Sequence, residues 1–227
     1  MARRIAQLLV GLVLYGIAGS LMIRAVLGVD PWTVLAQGLS VRTVLGIGVL
    51  TNLIGVAVLL LWIPLRQKPG VGTVLNILII GPSIELGLWL VPPITVLWAQ
   101  ILVFAAGLVL LAVASGLYIG ARMGPGPRDG LMTGLHRRFG VPIWVARTSV
   151  EVAVLTIGWI LGGNVGFGTV AFALLIGPLC NITLPLFAIP APSVPAATAT
   201  ATTTAETSAR DEPTPTAPVP TATPPGM

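Results

Sequence analysis

The chain has 227 residues, of which only 8% are charged, and its mean hydropathy is +0.97. A soluble domain carries about 25% charged residues, so this composition excludes a water-soluble fold and predicts a surface covered by a lipid bilayer. The net charge of +5 does not indicate nucleic-acid binding, because the basic residues lie at the ends of apolar segments, where they set membrane orientation. The single cysteine, Cys180, has no partner for an internal disulfide.

Six segments are long and apolar enough to cross a hydrocarbon core about 30 Å thick, which needs roughly 20 helical residues. The predicted spans cover approximately 5–23, 44–65, 73–91, 94–118, 143–161 and 169–187. The first follows Arg3 and Arg4, as the apolar run of a signal peptide does. We interpret it as a retained helix because its apolar run is long and has a counterpart later in the chain. The sequence therefore predicts an all-α, polytopic membrane protein.

The sequence repeats itself with a constant offset of 96 positions, the separation of Gly28 from Gly124. The same offset relates 72–74 to 168–170, both Gly-Thr-Val, and 80–82 to 176–178, both Ile-Gly-Pro. Internal similarity of this kind indicates duplication of one structural unit. Each copy holds three predicted spans, an odd number, so the second copy is expected to insert upside down relative to the first. We therefore predict two inverted three-helix repeats, at 1–92 and 93–189.

Two shorter segments, at 30–42 and 126–138, occupy matching places in the two copies. Pro31 and Pro127 suit the first turn of a helix, where the missing N–H of proline removes no hydrogen bond. Ten helical residues rise about 15 Å, which is too short to cross the membrane. Each segment is therefore either an interfacial amphipathic helix or a re-entrant helix that lines a pathway, and both interpretations stay open.

The basic residues predict the orientation of the chain. On one side of a six-span arrangement lie Arg3, Arg4, Arg66, Lys68, Arg122, Arg128, Arg137 and Arg138, and on the other lie Arg24 and Arg42. The side richer in Lys and Arg stays cytoplasmic, so both termini are predicted inside, in the bacterial inner membrane. Residues 190–227 are rich in Pro, Thr and Ala and are predicted to form a disordered cytoplasmic tail.

The third and sixth predicted spans each contain a Gly-Pro pair, at Pro82 and Pro178. Proline removes a helical hydrogen bond, and broken helices at matching positions of two copies indicate a central binding site, although a simple packing kink is the alternative. Three residues after each proline stands a polar side chain, Glu85 or Asn181. Because a charged carboxylate is costly at membrane depth, Glu85 is a candidate for proton or cation coupling, unless it lies nearer the interface.

Charged residues of the second copy complete the candidate set. Arg147 and Glu151 are four residues apart on one helix face and form either an internal ion pair or a gating or substrate-binding pair. Arg128, Asp129 and Arg138 belong to a cytoplasmic segment that either contacts anionic lipid headgroups or closes over the pathway as a gate. The sequence contains no metal-ligand cluster and no activated nucleophile, so neither a cofactor nor enzymatic activity is expected.

Several motifs together carry a resemblance to known proteins. They are 61–67 (Leu-Trp-Ile-Pro-Leu-Arg-Gln), 124–130 (Gly-Pro-Gly-Pro-Arg-Asp-Gly), Arg147-Thr148 with Glu151, and 176–179 (Ile-Gly-Pro-Leu). With them the chain resembles the YczE/YitT-type bacterial integral membrane proteins over roughly 3–187. The resemblance implies a multi-pass bacterial membrane protein and transfers no activity. Such sequences tend to have Asp where this chain has Thr33, whereas Asp129 keeps the carboxylate in the second copy.

These observations lead to two hypotheses about function. The first is a small-solute transporter or exporter whose pathway runs between the repeats, with an unknown small solute as its ligand. The second is a non-transporting accessory membrane protein that organises a partner complex. Assembly as a homo-oligomer stays open.

Overall fold

The computed structural model describes residues 1–189, and every regular element within that range is helical. The helices are α1 (Ala2–Ala25), α2 (Pro31–Arg42), α3 (Ile47–Leu61), α4 (Val71–Leu90), α5 (Leu97–Gly120), α6 (Pro127–Phe139), α7 (Ile143–Ile160) and α8 (Phe167–Phe187). The predicted all-α class is confirmed. The predicted disordered tail at 190–227 lies outside the described residues.

The apolar helices number five or six, depending on how α2 and α3 are counted. Among the described residues, α1, α4, α5, α7 and α8 are each long and apolar enough to cross a membrane. The predicted span at 44–65 differs, because α3 has only 15 residues and therefore rises about 22 Å. It reaches spanning length only together with α2, to which it is bent by 117°. The extended backbone at Gly46 starts α3 late, and Pro64 lacks the N–H that would continue it.

The chain stays helical through Pro82 in α4 and through Pro178 in α8, so the expectation of broken helices is wrong. Side chains form additional hydrogen bonds to backbone groups on either side of Pro82, as commonly occurs in membrane helices. The N–H of Gly81 donates to the amide oxygen of Asn52 at 3.0 Å, and the Ser83 hydroxyl donates to the Ile79 carbonyl at 2.8 Å.

The offset of 96 positions seen in the sequence recurs in the backbone. The paired helices α2 and α6, α3 and α7, and α4 and α8 begin at Pro31 and Pro127, Ile47 and Ile143, and Val71 and Phe167. The turns before α2 and α6 also match, since φ is 107° at Gly28 and 125° at Gly124. Val26 and Arg122 share a second left-handed position, with φ of 57° and 53°. Each four-helix set, α1–α4 and α5–α8, therefore follows the same sequence of helices and turns.

Contacts between the two sets are reciprocal. A methyl group added at Gly11 in α1 would lie 3.1 Å from the carbonyl oxygen of Ala114, and one added at Gly107 in α5 would lie 3.1 Å from that of Ala18. Gly107 is the equivalent of Gly11, and Ala114 is the equivalent of Ala18, because the members of each pair differ by 96 positions. From Gly11 to Ala18 along α1, the contacted position on α5 moves backwards from Ala114 to Gly107. The helices α1 and α5 therefore pack antiparallel.

The same reciprocity holds for backbone hydrogen bonds at the starts of α4 and α8. The Gly72 N–H donates to the Met123 carbonyl at 2.8 Å, and the Gly168 N–H donates to the Leu27 carbonyl at 2.7 Å. Each bond joins the start of a long helix to the turn that precedes the short helix of the other set. These contacts anchor the turns that position α2 and α6.

Packing joins the helices into a circuit that is open at one point. Starting from α8, each helix packs against the next in the order α8, α5, α1, α4, α3, α2, α7. The two ends of this circuit, α7 and α8, barely touch, and α6 packs against α3 and α7. The arrangement surrounds a central space and leaves one side of it uncovered.

We expect Gly11→Ala to destabilise the protein, because the new methyl group would lie 2.7 Å from the backbone nitrogen of Tyr118. Overpacking of this kind costs about 1–3 kcal/mol. Gly177→Ala is the matched control, since no atom lies within 4 Å of the position of its methyl group. Thermal unfolding in detergent measures both variants: the first should unfold at a lower temperature than the unsubstituted chain and the second should not. Equal unfolding temperatures would contradict the close packing of α1 on α5.

Candidate functional site

A cavity of about 320 Å³ lies among the helices, and all eight helices of the described region contribute to its lining. Much of the lining is apolar, with Ile80, Leu111 and Phe172 among the residues. Its charged residues are Asp30, Arg128, Asp129, Arg147 and Glu151. A cavity with a few convergent polar groups in an apolar wall is the usual form of a small-molecule site.

An ion pair between Asp30 and Arg128 joins the first turns of α2 and α6. Asp30 is the N-cap of α2, and its carboxylate accepts hydrogen bonds from the backbone N–H groups of Trp32 and Thr33 at 3.2 and 3.3 Å. The same carboxylate oxygen accepts from the Arg128 guanidinium at 3.1 Å. Only 15% of the Asp30 side chain and 29% of the Arg128 side chain are exposed. One carboxylate therefore satisfies the amino end of α2 and a cation at the amino end of α6.

The Arg128 guanidinium also lies 5.1 Å from the ring centroid of Trp32, a distance typical of a cation–π contact. Trp32 packs into an apolar cluster with Val58 and Leu131, which fixes its ring. Trp32 and Arg128 are equivalent positions of the two sequence copies, since they differ by 96 in number. The amino ends of the two short helices thus meet at the same point of each copy.

Asp129, the next residue of α6, faces the cavity. Its carboxylate oxygen Oδ2 accepts a hydrogen bond from the Tyr118 hydroxyl at 3.3 Å. Burial raises the pKa of the Asp129 carboxyl above its usual range, against the opposing effects of Arg147, the Tyr118 hydroxyl and Arg128. Asp129 forms no ion pair at salt-bridge distance among the described residues, so it is the cavity carboxyl best suited to gain and lose a proton.

Arg147 and Glu151 form an ion pair along α7, with Nε of the arginine donating to Oε1 of the glutamate at 3.0 Å. Both side chains line the cavity, and 57% of the Arg147 side chain and 33% of the Glu151 side chain are exposed. Exposure at this level means that the pair contributes little to stability. Among the described residues only Nε of Arg147 is engaged, so its terminal nitrogens are available to an anionic group.

The structure brings together five of the nine candidate residues in this cavity: Asn181, Arg147, Glu151, Arg128 and Asp129. The remaining candidates, Pro82, Glu85, Pro178 and Arg138, do not line it. Glu85 is a residue of α4 whose side chain reaches the start of α3, where its Oε1 accepts from the Gly48 N–H at 2.7 Å. A carboxylate at a helix N-terminus satisfies a free N–H and interacts favourably with the helix dipole. This contact gives Glu85 a structural role that requires no coupled proton.

Two important residues of the cavity are absent from the set of sequence candidates. Asp30 was placed only at the edge of a short helix, although Asp directly before Pro31 is a recognisable N-cap signal. Tyr118 lies in an apolar span, and no sequence signal connects it to Asp129, because their hydrogen bond depends on how the chain turns between α5 and α6.

We expect Asp129→Asn to change how stability depends on pH. The pKa of Asp129 is 3.8 in the unfolded chain and is higher in the folded state, which therefore holds the proton to a higher pH. The contribution of the protonated carboxyl is therefore fully present below that value and is lost as pH rises through the higher folded-state pKa. Relative to the unsubstituted chain, the variant should gain stability as pH rises from 3.8 through the folded-state pKa of Asp129, measured as unfolding temperature. A constant difference across that range would contradict the raised pKa.

Comparisons with known proteins place this architecture in a family. A protein of Haemophilus influenzae described as uncharacterised is 39% identical over 186 residues, covering 82% of this chain and 85% of that protein. The uncharacterised membrane protein YczE of Bacillus subtilis is 31% identical over 177 residues, covering 77% and 82%. The uncharacterised protein YyaS of the same organism is 28% identical over 181 residues, covering 78% and 90%. No solved structure matches the chain.

The similarity to YczE confirms the resemblance drawn from the sequence motifs, and with the apolar helices it identifies a multi-pass, membrane-embedded protein. The family model described as a family of unknown function, DUF6198, matches residues 2–185. The match covers every helix of the structure except the last two residues of α8. The chain therefore belongs to the DUF6198 family and is similar to the membrane protein YczE.

Proposed function

We propose that this protein is a transporter of the bacterial plasma membrane rather than an enzyme, and that the cavity is its solute site. The observation that carries the proposal is the contact between Asp30 and Arg128, which joins the amino ends of two short helices inside a polar cavity. Many transporters bind their solutes where helix ends from two structural repeats meet near the bilayer midplane. The cavity volume of about 320 Å³ is within the range of small-molecule sites.

The proposal includes an inverted repeat. Its support is the reciprocity of the contacts of Gly11 with Ala114 and of Gly107 with Ala18. Equivalent helices α1 and α5 pack antiparallel in these contacts, as expected when one copy inserts upside down relative to the other. A two-fold relation of this kind places the cavity between the copies. In such a repeat α3, the equivalent of α7, crosses the membrane despite its short length. Together with the distribution of the basic residues, this favours six spans and cytoplasmic termini.

We further propose that α2 and α6 are re-entrant rather than interfacial. An interfacial helix keeps one face in the headgroup region, whereas the amino end of α2 is buried, with Trp32 only 5% exposed and Val34 fully buried. Asp30 and Arg128 meet at the cavity, with 15% and 29% of their side chains exposed. In this arrangement each short helix enters the membrane from its own side and points its amino end at the centre.

The charges of the cavity favour a solute with a positively charged group. Three carboxyl groups face two guanidinium groups there, and four of these five groups form two ion pairs. The remaining group is Asp129. When it is ionised, the cavity holds one excess negative charge, and when it is protonated, the cavity is neutral. A cation and a proton would therefore compete for the same carboxyl, which would couple solute movement to proton movement in the opposite direction.

Flux through reconstituted vesicles tests this proposal. Proteoliposomes carrying an internal pH dye and an acidic interior are exposed to choline, tetramethylammonium and zwitterionic amino acids, one at a time. We expect at least one of them to drive proton efflux, and we expect Asp129→Asn to reduce that efflux at least tenfold because the exchanging carboxyl is lost. Arg138→Gln is the matched control, since Arg138 does not line the cavity, and it should keep full efflux.

Two results would contradict transport. One is the absence of proton-coupled flux with every compound tested. The other is co-purification of a stoichiometric partner protein in gentle detergent from a preparation that shows no flux, which would favour the accessory function.

A further inference from the structure

The cavity has a side entrance between α7 and α8. These helices are the two ends of the packing circuit and barely touch. Residues of both helices nevertheless line the cavity: Arg147 and Glu151 from α7, and Gly177, Cys180 and Asn181 from α8. A gap between two helices that each line the same cavity gives that cavity an opening to the side.

The equivalent gap is closed in the first copy. There α3 packs along α4, and two hydrogen bonds join them, from the Gly48 N–H to Glu85 and from the Gly81 N–H to Asn52. The close approach depends on glycine, because a methyl group at Gly48 would collide with the Gly81 carbonyl oxygen. The first copy therefore shows what is needed to bring these two helices together.

The second copy lacks each of these features. Trp144 stands at the position equivalent to Gly48, and its side chain is 71% exposed. Thr148 and Asn181, with shorter side chains, replace Asn52 and Glu85. Gly177, the equivalent of Gly81, has no atom within 4 Å of where a side chain would start. The sequence itself therefore keeps α7 and α8 apart.

The surroundings of the opening are apolar. Leu174 on α8 is 69% exposed and Ile157 on α7 is 52% exposed, and both helices have the length and hydropathy of membrane spans. In a bilayer such surfaces face acyl chains. A molecule that passes between α7 and α8 therefore moves from a hydrocarbon region to the charged groups of the cavity.

We propose that the cavity takes the zwitterionic headgroup of a lipid-type amphiphile, which enters sideways between α7 and α8 and keeps its apolar tail in the gap. The terminal nitrogens of Arg147, which its pair with Glu151 leaves available, bind the phosphate of the headgroup, and Asp129 binds its ammonium group. Guanidinium groups are well suited to phosphate. This inference rests on the proposed function only for the location of the solute site.

Cys180 provides a reporter, because it lines the cavity and is the only cysteine of the chain. The full chain in an uncharged maltoside detergent is treated with N-ethylmaleimide in the presence of lysophosphatidylethanolamine or of phosphoethanolamine, which has the same headgroup without a tail. We expect the lysolipid to protect Cys180 at a concentration at least tenfold lower, because burial of only a few methylene groups in the gap gives that advantage.

A bulky side chain in the gap provides the second arm of the experiment. Gly177→Trp should fill the opening and remove the advantage of the lysolipid over phosphoethanolamine. Ile182→Trp is the matched control, because Ile182 lies on a different face of the same helix, is 62% exposed and is outside the cavity lining, and it should keep the advantage.

Three outcomes would overturn the inference. Equal protection by the two compounds would mean that the tail makes no contact, and absence of protection by both would mean that the headgroup does not bind. The third outcome is that the folded chain is not alkylated at Cys180 and that the double variant Thr148→Cys, Cys180→Ser is not alkylated either. This would mean that the gap between α7 and α8 is closed. If the lysolipid protects Cys180 but no flux is found, the transport proposal is contradicted and this inference stands. If flux is found but the lysolipid has no advantage, this inference is contradicted and the transport proposal stands.

Discussion

The structure depends on how the amino end of α2 is satisfied away from water and joined to the amino end of α6. The first N–H groups of a helix have no partners within it, and leaving them unpaired in an apolar interior is costly. Asp30 resolves this for α2, and because it also binds Arg128, it fixes α6 at the same point. The cavity surrounds this junction, which supplies two of its five charged side chains.

Much of the fold could be predicted from the sequence, because the relevant signals are local. The apolar runs, the prolines at the starts of α2 and α6, and the offset of 96 positions each depend on neighbouring residues or on direct comparison of two segments. The ion pair of Arg147 and Glu151 was equally accessible, since four residues along a helix bring side chains together. The length of α3 was missed, because an apolar run continues past the turn at Gly46 that shortens the helix.

The site was predicted less well, because its contacts join distant parts of the chain. Glu85 had the features of a buried functional carboxylate, but its partner is the N–H of Gly48, 37 residues away in the chain. Asp30 and Arg128 are 98 positions apart, and no spacing rule connects them. The two copies also differ at the positions that hold α3 against α4. For this reason α3 and α4 pack together in the first copy, whereas their equivalents α7 and α8 stay apart in the second.

The junction between Asp30 and Arg128 is tested most directly by a double-mutant cycle on unfolding free energy. Asp30→Asn and Arg128→Gln remove the charges, and asparagine keeps the N-cap of α2, so the cycle isolates the contact between the two side chains. A direct contact predicts a coupling energy of about 0.5–3 kcal/mol. Effects that add to within about 0.5 kcal/mol would contradict it, because the two short helices would then not be joined at this point.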